Sequence, residues 1–282
     1  MDRTITLTIE KDCLLRDFLR SRYSGQRIRF LREKGHILLN GAPVTVRATA
    51  KAGDALTLVF KETGAFDYAP EDLGVRTVYE DEDVLLVYKP AGIASMPAAP
   101  HFTGNLFNGV KFLYPEGVFR VVTRLDKDTS GLVLLAKNAL SHSILCEEIR
   151  SVEKTYLAVC TGEVPAPLVI SAPISSDGGA KRFVSENGKP AKTRIISSKP
   201  VKLGSLVKIV TETGRTHQIR VHLAHIGHPL VGDRLYGNDD SVRFGQLLTC
   251  CGISFVHPVS RQKAVFTIDG EADLLEREQF SQ

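Results

Sequence analysis

The chain lacks a cysteine framework: Cys13, Cys146, Cys160, Cys250 and Cys251 are odd in number and contain no C-x-x-C pair. That excludes a disulfide scaffold and a thiolate zinc site as the basis of the fold, and it fits a reducing, cytoplasmic setting. No apolar run approaches the ~18 residues of a membrane span, and charges at Glu10, Lys11 and Asp12 leave no room for the apolar stretch of a signal peptide. Internal repeats and low-complexity tracts are absent too. No Gly-x-Ser-x-Gly elbow surrounds Ser130, so a serine hydrolase has no nucleophile here. His217, His222, His225 and His228 have no glutamate or cysteine beside them, and Gly227-His228-Pro229 breaks the helix at the last, so no metal site is expected.

What is present is uneven charge. The 282 residues exceed the ~100–200 of one domain, which suggests two. Residues 1–66 hold twelve Lys/Arg against seven Asp/Glu, whereas the remainder holds 24 against 25. The excess positive charge therefore sits in the first quarter, where it suits an anionic polymer such as nucleic acid; a solvated basic face is the plainer alternative. Leu14, Leu15, Phe18 and Leu19 recur at helical spacing. Ser24 caps a second helix with Ile28 and Leu31 on its apolar side, Arg27, Arg29, Arg32 and Lys34 on its basic side, and Gly35 as its stop. Asn40-Gly41 signals a hairpin, and a strand runs from Ala55 to Phe60. The expected division is a small basic unit at 1–62, a linker at 63–74 and a larger unit at 75–282.

In the larger unit strands (75–79, 84–88, 118–122, 132–137, 155–160, 206–211) outnumber helices (105–114, 139–149, 216–226), and their uneven lengths predict an α+β fold with a mixed sheet. Ser175 to Pro190, with its Asp-Gly-Gly and Asn-Gly pairs, reads as a mobile hairpin or loop. The segment Arg124-Leu125-Asp126-Lys127-Asp128-Thr129-Ser130-Gly131 stands between two apolar strands. Unpaired charge in such a place costs several kcal/mol, which makes Asp126 the first candidate for chemistry, with an ordinary polar turn as the competing reading.

Two basic helices before Gly35-His36-Ile37-Leu38-Leu39-Asn40-Gly41 and Lys51-Ala52-Gly53-Asp54 resemble the S4-type RNA-binding domain. Four later stretches together resemble the RluA-type pseudouridine synthases: Lys89-Pro90-Ala91-Gly92; Arg124-Leu125-Asp126 with Thr129-Ser130-Gly131; Lys154-Thr155-Tyr156; and Gly214-Arg215-Thr216-His217-Gln218-Ile219-Arg220-Val221-His222-Leu223, closed by Gly227-His228-Pro229 and Gly232-Asp233. The resemblance implies the pseudouridine synthase fold, a mixed and largely antiparallel sheet, and isomerisation of a uridine already in RNA, with no cofactor or metal. The N1–C1′ bond breaks, uracil rotates, and C5 joins C1′.

By that resemblance Asp126 is the catalytic carboxylate, as nucleophile or as base, and Arg220 is its salt-bridging arginine, whose fork holds it in charge and orientation. Tyr156 stacks on the target base, and Arg124 fills the gap left by the flipped nucleotide. Arg215, Thr216, His217 and Gln218 are expected to contact RNA, with Arg27, Arg29 and Arg32 doing so in the first unit. Thr123 departs from the family's usual histidine, and Leu248-Thr249-Cys250 stands where Leu-His-Ala is common. The expected substrate is ribosomal RNA, by family association, with transfer RNA as the alternative and the protein a monomer. A non-catalytic RNA-binding or RNA-folding protein is the rival, and the presence together of Asp126, Tyr156 and Arg220 argues against it.

Overall fold

A computed structural model describes residues 2–62, 68–97, 102–243 and 245–279, so the expected linker at 63–74 falls partly outside the described residues. The first unit comprises Arg3–Thr8 (β1), Leu15–Arg20 (α1), Gly25–Lys34 (α2), Gly35–Leu39 (β2) and Ala55–Phe60 (β3). Its antiparallel sheet runs β1-β3-β2 and adds the two-residue strand Ala42–Pro43 beyond β2. The β2 hairpin turns at Asn40 and Gly41, both at positive φ (51° and 82°), as the tight right-twisted turn requires. Ser24 caps α2 as expected, accepting from the Arg27 amide. Leu15, Leu19, Ile28, Leu31, Leu56 and Leu58 close the core beneath the two helices.

The larger unit comprises Arg76–Glu80 (β4), Val84–Lys89 (β5), Leu106–Leu113 (α3), Ser130–Ala136 (β6), Ala139–Glu147 (α4), Glu153–Cys160 (β7), Leu168–Ile170 (β8), Ile174–Ser176 (β9), Arg182–Val184 (β10), Thr193–Val201 (β11), Gly204–Thr211 (β12), Gln218–His225 (α5), Leu248–Val256 (β13), Lys263–Thr267 (β14) and Gly270–Gln279 (α6). The main sheet is ordered β8-β11-β12-β7-β13-β6-β5-β4, with β14 beside β13 and the short strand Arg120–Val121 beside β6. Its pairings are antiparallel except where Ser130 and Gly131 of β6 run parallel to Thr249 and Cys250 of β13. The fold is α+β with a mixed, largely antiparallel sheet, as the sequence predicts.

Several elements depart from expectation. Strands β1, β11, β13 and β14 and helix α6 have no counterpart in the sequence reading, and the strand expected at 118–122 contracts to Arg120–Val121. Strand β13 is buried almost throughout, so it carries no alternation by which to recognise it. The 175–190 region does form a hairpin, β9 pairing with β10 across Asp177-Gly178-Gly179.

The two units meet at α4. Leu140 and Ile144 complete the apolar cluster of the first unit. Around them Arg3 grips Asp83 through two nitrogens (2.9 and 2.8 Å), and Glu62 pairs with Arg120. Arg27 is a correction to the sequence reading. It is 8 % exposed and turned inward onto Glu147 at 3.0 Å, so it holds the units together and does not join the outward basic face. Arg29 and Arg32 remain exposed, the former beside Glu33 at 2.8 Å.

Candidate active site

The polar loop that leaves Arg120–Val121 and enters β6 is tied down along its main chain. Ser95 Oγ donates to the Leu125 carbonyl at 2.7 Å and accepts from the Leu125 amide at 3.0 Å. The Lys127 carbonyl accepts from the Gly92 amide (3.0 Å) and from Lys89 Nζ (3.0 Å), which also donates to the carbonyls of Pro90 (2.8 Å) and Ile93 (2.9 Å). Thr129 N closes a turn onto the Asp126 carbonyl at 3.1 Å. At Gly131, φ is 110° and a Cβ would lie 2.3 Å from the Cys250 carbonyl oxygen, so only glycine lets β6 meet β13 here. A plain turn bonded to itself does not describe this loop: its partners come from distant segments.

Lys89 is wholly enclosed, and burial pushes its pKa down to about 7 against the opposing pull of Asp128 and Asp126. Lys-Pro-Ala-Gly is thus the floor on which the Asp126 turn rests.

Above that floor lies a cleft of about 660 Å³, lined by Thr123, Arg124, Asp126, Lys154, Tyr156 and Arg220 among others. This is within the ~300–1,000 Å³ typical of small-ligand pockets. The structure brings the three expected chemical residues together and corrects how two of them meet. The Arg220 fork is closed on Asp233, Nε to Oδ2 at 2.7 Å and Nη2 to Oδ1 at 2.8 Å, and only Nη1 reaches Asp126, at 3.9 Å. Burial lowers the Arg220 pKa, but the Asp233 bonds and charge, with Asp126 behind them, raise it above the ordinary value. Asp126 therefore faces a permanent cation without being locked in a two-point bridge. Its carboxylate is about 25 % exposed and accepts no hydrogen bond among the described residues.

Asp233 is the residue that sequence reasoning missed. It is fully buried and its Oδ1 also accepts from the amides of Leu235 and Tyr236, both at 3.0 Å. The Gly232-Asp233 pair after the α5 motif was its only signal. We expect Asp233→Asn to free the Arg220 fork and lower kcat by roughly 10- to 100-fold, the cost of misplacing a group by about 1 Å, with RNA affinity nearly unchanged. Single-turnover rates beside binding isotherms check this.

Tyr156 projects from β7 at a bulge, where Thr155 faces Gly252 and Tyr156 faces Cys250. The skipped residue on β13 re-aims the side chain toward the cleft. It is 8 % exposed, and burial, then Cys250 and Asp126, push its phenol well above the usual range, so it is neutral at physiological pH. Lys154 Nζ donates to the Arg124 carbonyl at 3.1 Å. Arg124 itself is exposed at the rim and enters no ion pair among the described residues, Asp128 included.

Tyr236 stands behind Arg220, its ring 5.0 Å from the guanidinium. Its hydroxyl accepts from the Arg182 amide (2.8 Å) and shares a hydrogen bond with His217 Nδ1 (2.9 Å) whose direction follows the imidazole tautomer. Burial, aided by Arg220, lowers the His217 pKa in agreement with a neutral ring.

The remaining expected contacts divide. Arg215 and Thr216 are exposed at the cleft edge, Arg215 Nε donating to the Pro190 carbonyl at 3.0 Å. Gln218 is a correction: it is buried, its oxygen accepting from Thr213 Oγ1 and the Arg215 amide and its nitrogen donating to the Lys192 carbonyl and Thr193 Oγ1, so no group is left for RNA. Thr123 is also inward, its hydroxyl accepting from the Leu134 amide at 3.0 Å. His222 is bonded on both nitrogens, to Thr193 Oγ1 and the Ala172 carbonyl. A separate cluster of Asp81, Asp83 and His257 has its carboxylate oxygens engaged by Arg3, Tyr79, Asn138, Ser141 and main-chain amides, and its work is to join β1 to the larger unit.

A family profile described as RNA pseudouridylate synthase matches residues 83–225. The chain is 36 % identical to a Bacillus subtilis protein described as uncharacterized RNA pseudouridine synthase YlyB, over 86 % of this chain and 84 % of that one. It is 37 % identical to the ribosomal large subunit pseudouridine synthase D of Pseudomonas aeruginosa, over 72 % and 66 %. Among solved structures, human RNA pseudouridylate synthase domain containing 1 superposes with a TM-score of 0.60 at 25 % identity, covering 72 % of this chain and 86 % of that one.

Proposed function

The chain belongs to the RNA pseudouridylate synthase family and isomerises uridine in RNA, and from that premise we propose that Asp126 is the carboxylate that performs the reaction on a uridine drawn into the cleft. The observation that carries this reading is the asymmetric placement of Arg220. Its fork is fixed on Asp233 and its remaining nitrogen stands 3.9 Å from Asp126. An ionised carboxylate is thereby supported by a cation yet keeps its lone pairs free, as attack at C1′ or removal of the C2′ proton each requires. A carboxylate held in a two-point bridge would be a poorer nucleophile and a poorer base.

Tyr156, neutral and largely buried at the cleft wall, offers a face on which a rotating uracil stays stacked, an interaction worth roughly 1–3 kcal/mol that needs no fixed hydrogen-bond pattern. Arg124 at the rim takes the place of the extracted nucleotide, with Lys154 steadying its main chain. Arg215, Thr216 and His217 hold the strand at the cleft edge. We read the protein as a monomer acting in the cytoplasm, where its five free thiols are at home.

The first unit is read as an S4-like RNA-binding module whose outward cations are Arg29 and Arg32. Replacing both with glutamine is expected to reduce the slope of log affinity against log salt by about 1.4–1.8, since each phosphate contact contributes roughly 0.7 to 0.9. Arg27→Gln, which removes an internal pair, leaves the slope unchanged. An unaltered slope in the Arg29/Arg32 variant would move the RNA contacts elsewhere.

Ribosomal RNA is the proposed substrate, in line with the name of the Pseudomonas aeruginosa relative. Mapping pseudouridine across total RNA with and without the gene tests this. Loss at ribosomal positions is the expected result, and loss confined to transfer RNA would reassign the substrate.

A further inference from the structure

We infer that the last helix, α6, belongs to the reaction machinery: Asp273 and Arg277 are positioning residues that fix the main chain of the loop bearing Asp126. The inference rests on the reading of Asp126 given above. Helix α6 lies flush against the sheet, since a Cβ on Gly270 would come within 2.6 Å of Cys251 Cβ and 3.0 Å of Thr249 Cγ2. Leu274 seals it there, buried in a cluster with Leu206, Val231 and Leu247. Asp273 and Arg277 are four apart and so share one face. That face meets the underside of the catalytic loop.

The contacts are polar and directed at main chain. Ser130 Oγ donates to Asp273 Oδ2 at 2.6 Å, and the Tyr88 hydroxyl donates to Asp273 Oδ1. Arg277, 7 % exposed, donates from Nη2 to the carbonyls of Asp128 (3.1 Å), Gln246 (2.7 Å) and Gly245 (3.5 Å), and from Nη1 to the Leu248 carbonyl (3.2 Å) and Ser130 Oγ (3.3 Å). One guanidinium thus bridges the catalytic loop to the segment that enters β13. Lys89 holds the Lys127 carbonyl, so consecutive carbonyls, at Lys127 and Asp128, are each held by a buried basic side chain. Between them Thr129 N closes the turn on Asp126.

A helix that served only to cover the sheet would do so better with apolar side chains, because replacing buried charge by well-packed hydrophobic residues is often neutral or stabilising. A buried guanidinium directed at the Asp128 carbonyl, two residues from the reactive carboxylate, instead sets position, and displacement of about 1 Å costs up to 10²-fold in rate.

Arg277→Ala, Asp273→Asn and Asp126→Asn are to be compared by steady-state and single-turnover isomerisation, with thermal melting as the folding control. Arg277→Ala is expected to lose roughly 100-fold in kcat with KM within a few-fold of wild type, and added guanidinium is expected to restore part of the rate. The same addition restores nothing in Asp126→Asn. If Arg277→Ala does not fold, Asp273→Asn, which keeps the shape and removes the charge that holds Ser130, decides: a fall in kcat at unchanged KM supports the inference, and wild-type kcat overturns it. A folded Arg277→Ala with wild-type kcat, or one whose loss follows its melting temperature and resists guanidinium, overturns the inference while an inactive Asp126→Asn leaves the reading of Asp126 standing. An active Asp126→Asn overturns both.

Discussion

Asp126→Asn is expected to cut the rate of pseudouridine formation by at least 10²–10⁴-fold, the contribution of a positioned general base, and by more if the carboxylate is the nucleophile. The substitution keeps shape and removes charge. Because Asp126 is anchored by main-chain bonds to Ser95, Gly92 and Lys89 through its neighbours, and not by its own side chain, the loop should retain its course. RNA affinity should hold or rise slightly, since a negative group is lost from a cleft whose rim carries Arg124 and Arg215. The rate is checked by chemical mapping of pseudouridine at protein excess, with the bound fraction measured separately.

Lys89→Met is expected to be the most damaging single change to stability. Three carbonyls, at Pro90, Ile93 and Lys127, would lose the donor they share, in a site with no exposure. Each unsatisfied buried acceptor costs about 1–3 kcal/mol. Lys127 keeps the Gly92 amide, so a loss of about 3 kcal/mol is expected, a large share of the ~5–15 kcal/mol that holds a protein folded. Melting should fall by about 10 °C at the roughly 2–4 °C per kcal/mol of a larger domain.

Lys89 also sets a pH dependence. Burial pushes its pKa to about 7 from the ordinary 10.5, so between those values the unfolded chain binds a proton that the folded chain has released. Unfolding free energy from this group therefore rises with pH across that window, and its burial cost is fully present below it. The stability gap between wild type and Lys89→Met should widen from pH 7 toward pH 10 in denaturant titrations. A gap that is constant or narrows would contradict the placement of the ammonium.

Much of the site is legible in the sequence because its motifs are local: Lys89-Pro90, Arg124 to Gly131 and Thr216 to Arg220 each carry their own punctuation. What joins them is not. Asp233 and Arg220 are 13 residues apart, while Ser130 and Asp273 are 143 apart and Asp128 and Arg277 are 149 apart, with no periodicity linking them. The β13 strand lacks alternation because both its faces are covered, and α6 has only Leu274 and Leu275 as successive apolar residues in a polar run.

Arg27 and Gln218 are turned inward by partners distant in sequence. Arg27 stands on the basic side of an amphipathic pattern, which places it toward water, yet it meets Glu147; Gln218 is expected at RNA by the resemblance of its motif, yet it is held by Thr213, Lys192 and Thr193. Strand β1 did alternate, as Arg-Thr-Ile-Thr-Leu-Thr, and could have been read.

The central claim is that a uridine of RNA is rearranged in this cleft by Asp126. Its most direct test is release of tritium from ribosomal RNA labelled at uridine C5, measured for wild type and Asp126→Asn at protein excess and equal bound RNA, because C5 must lose its hydrogen to join C1′. Prompt release by wild type and none above background from the variant is the predicted result. Equal release from both, or no release by wild type from any RNA fraction, would contradict it.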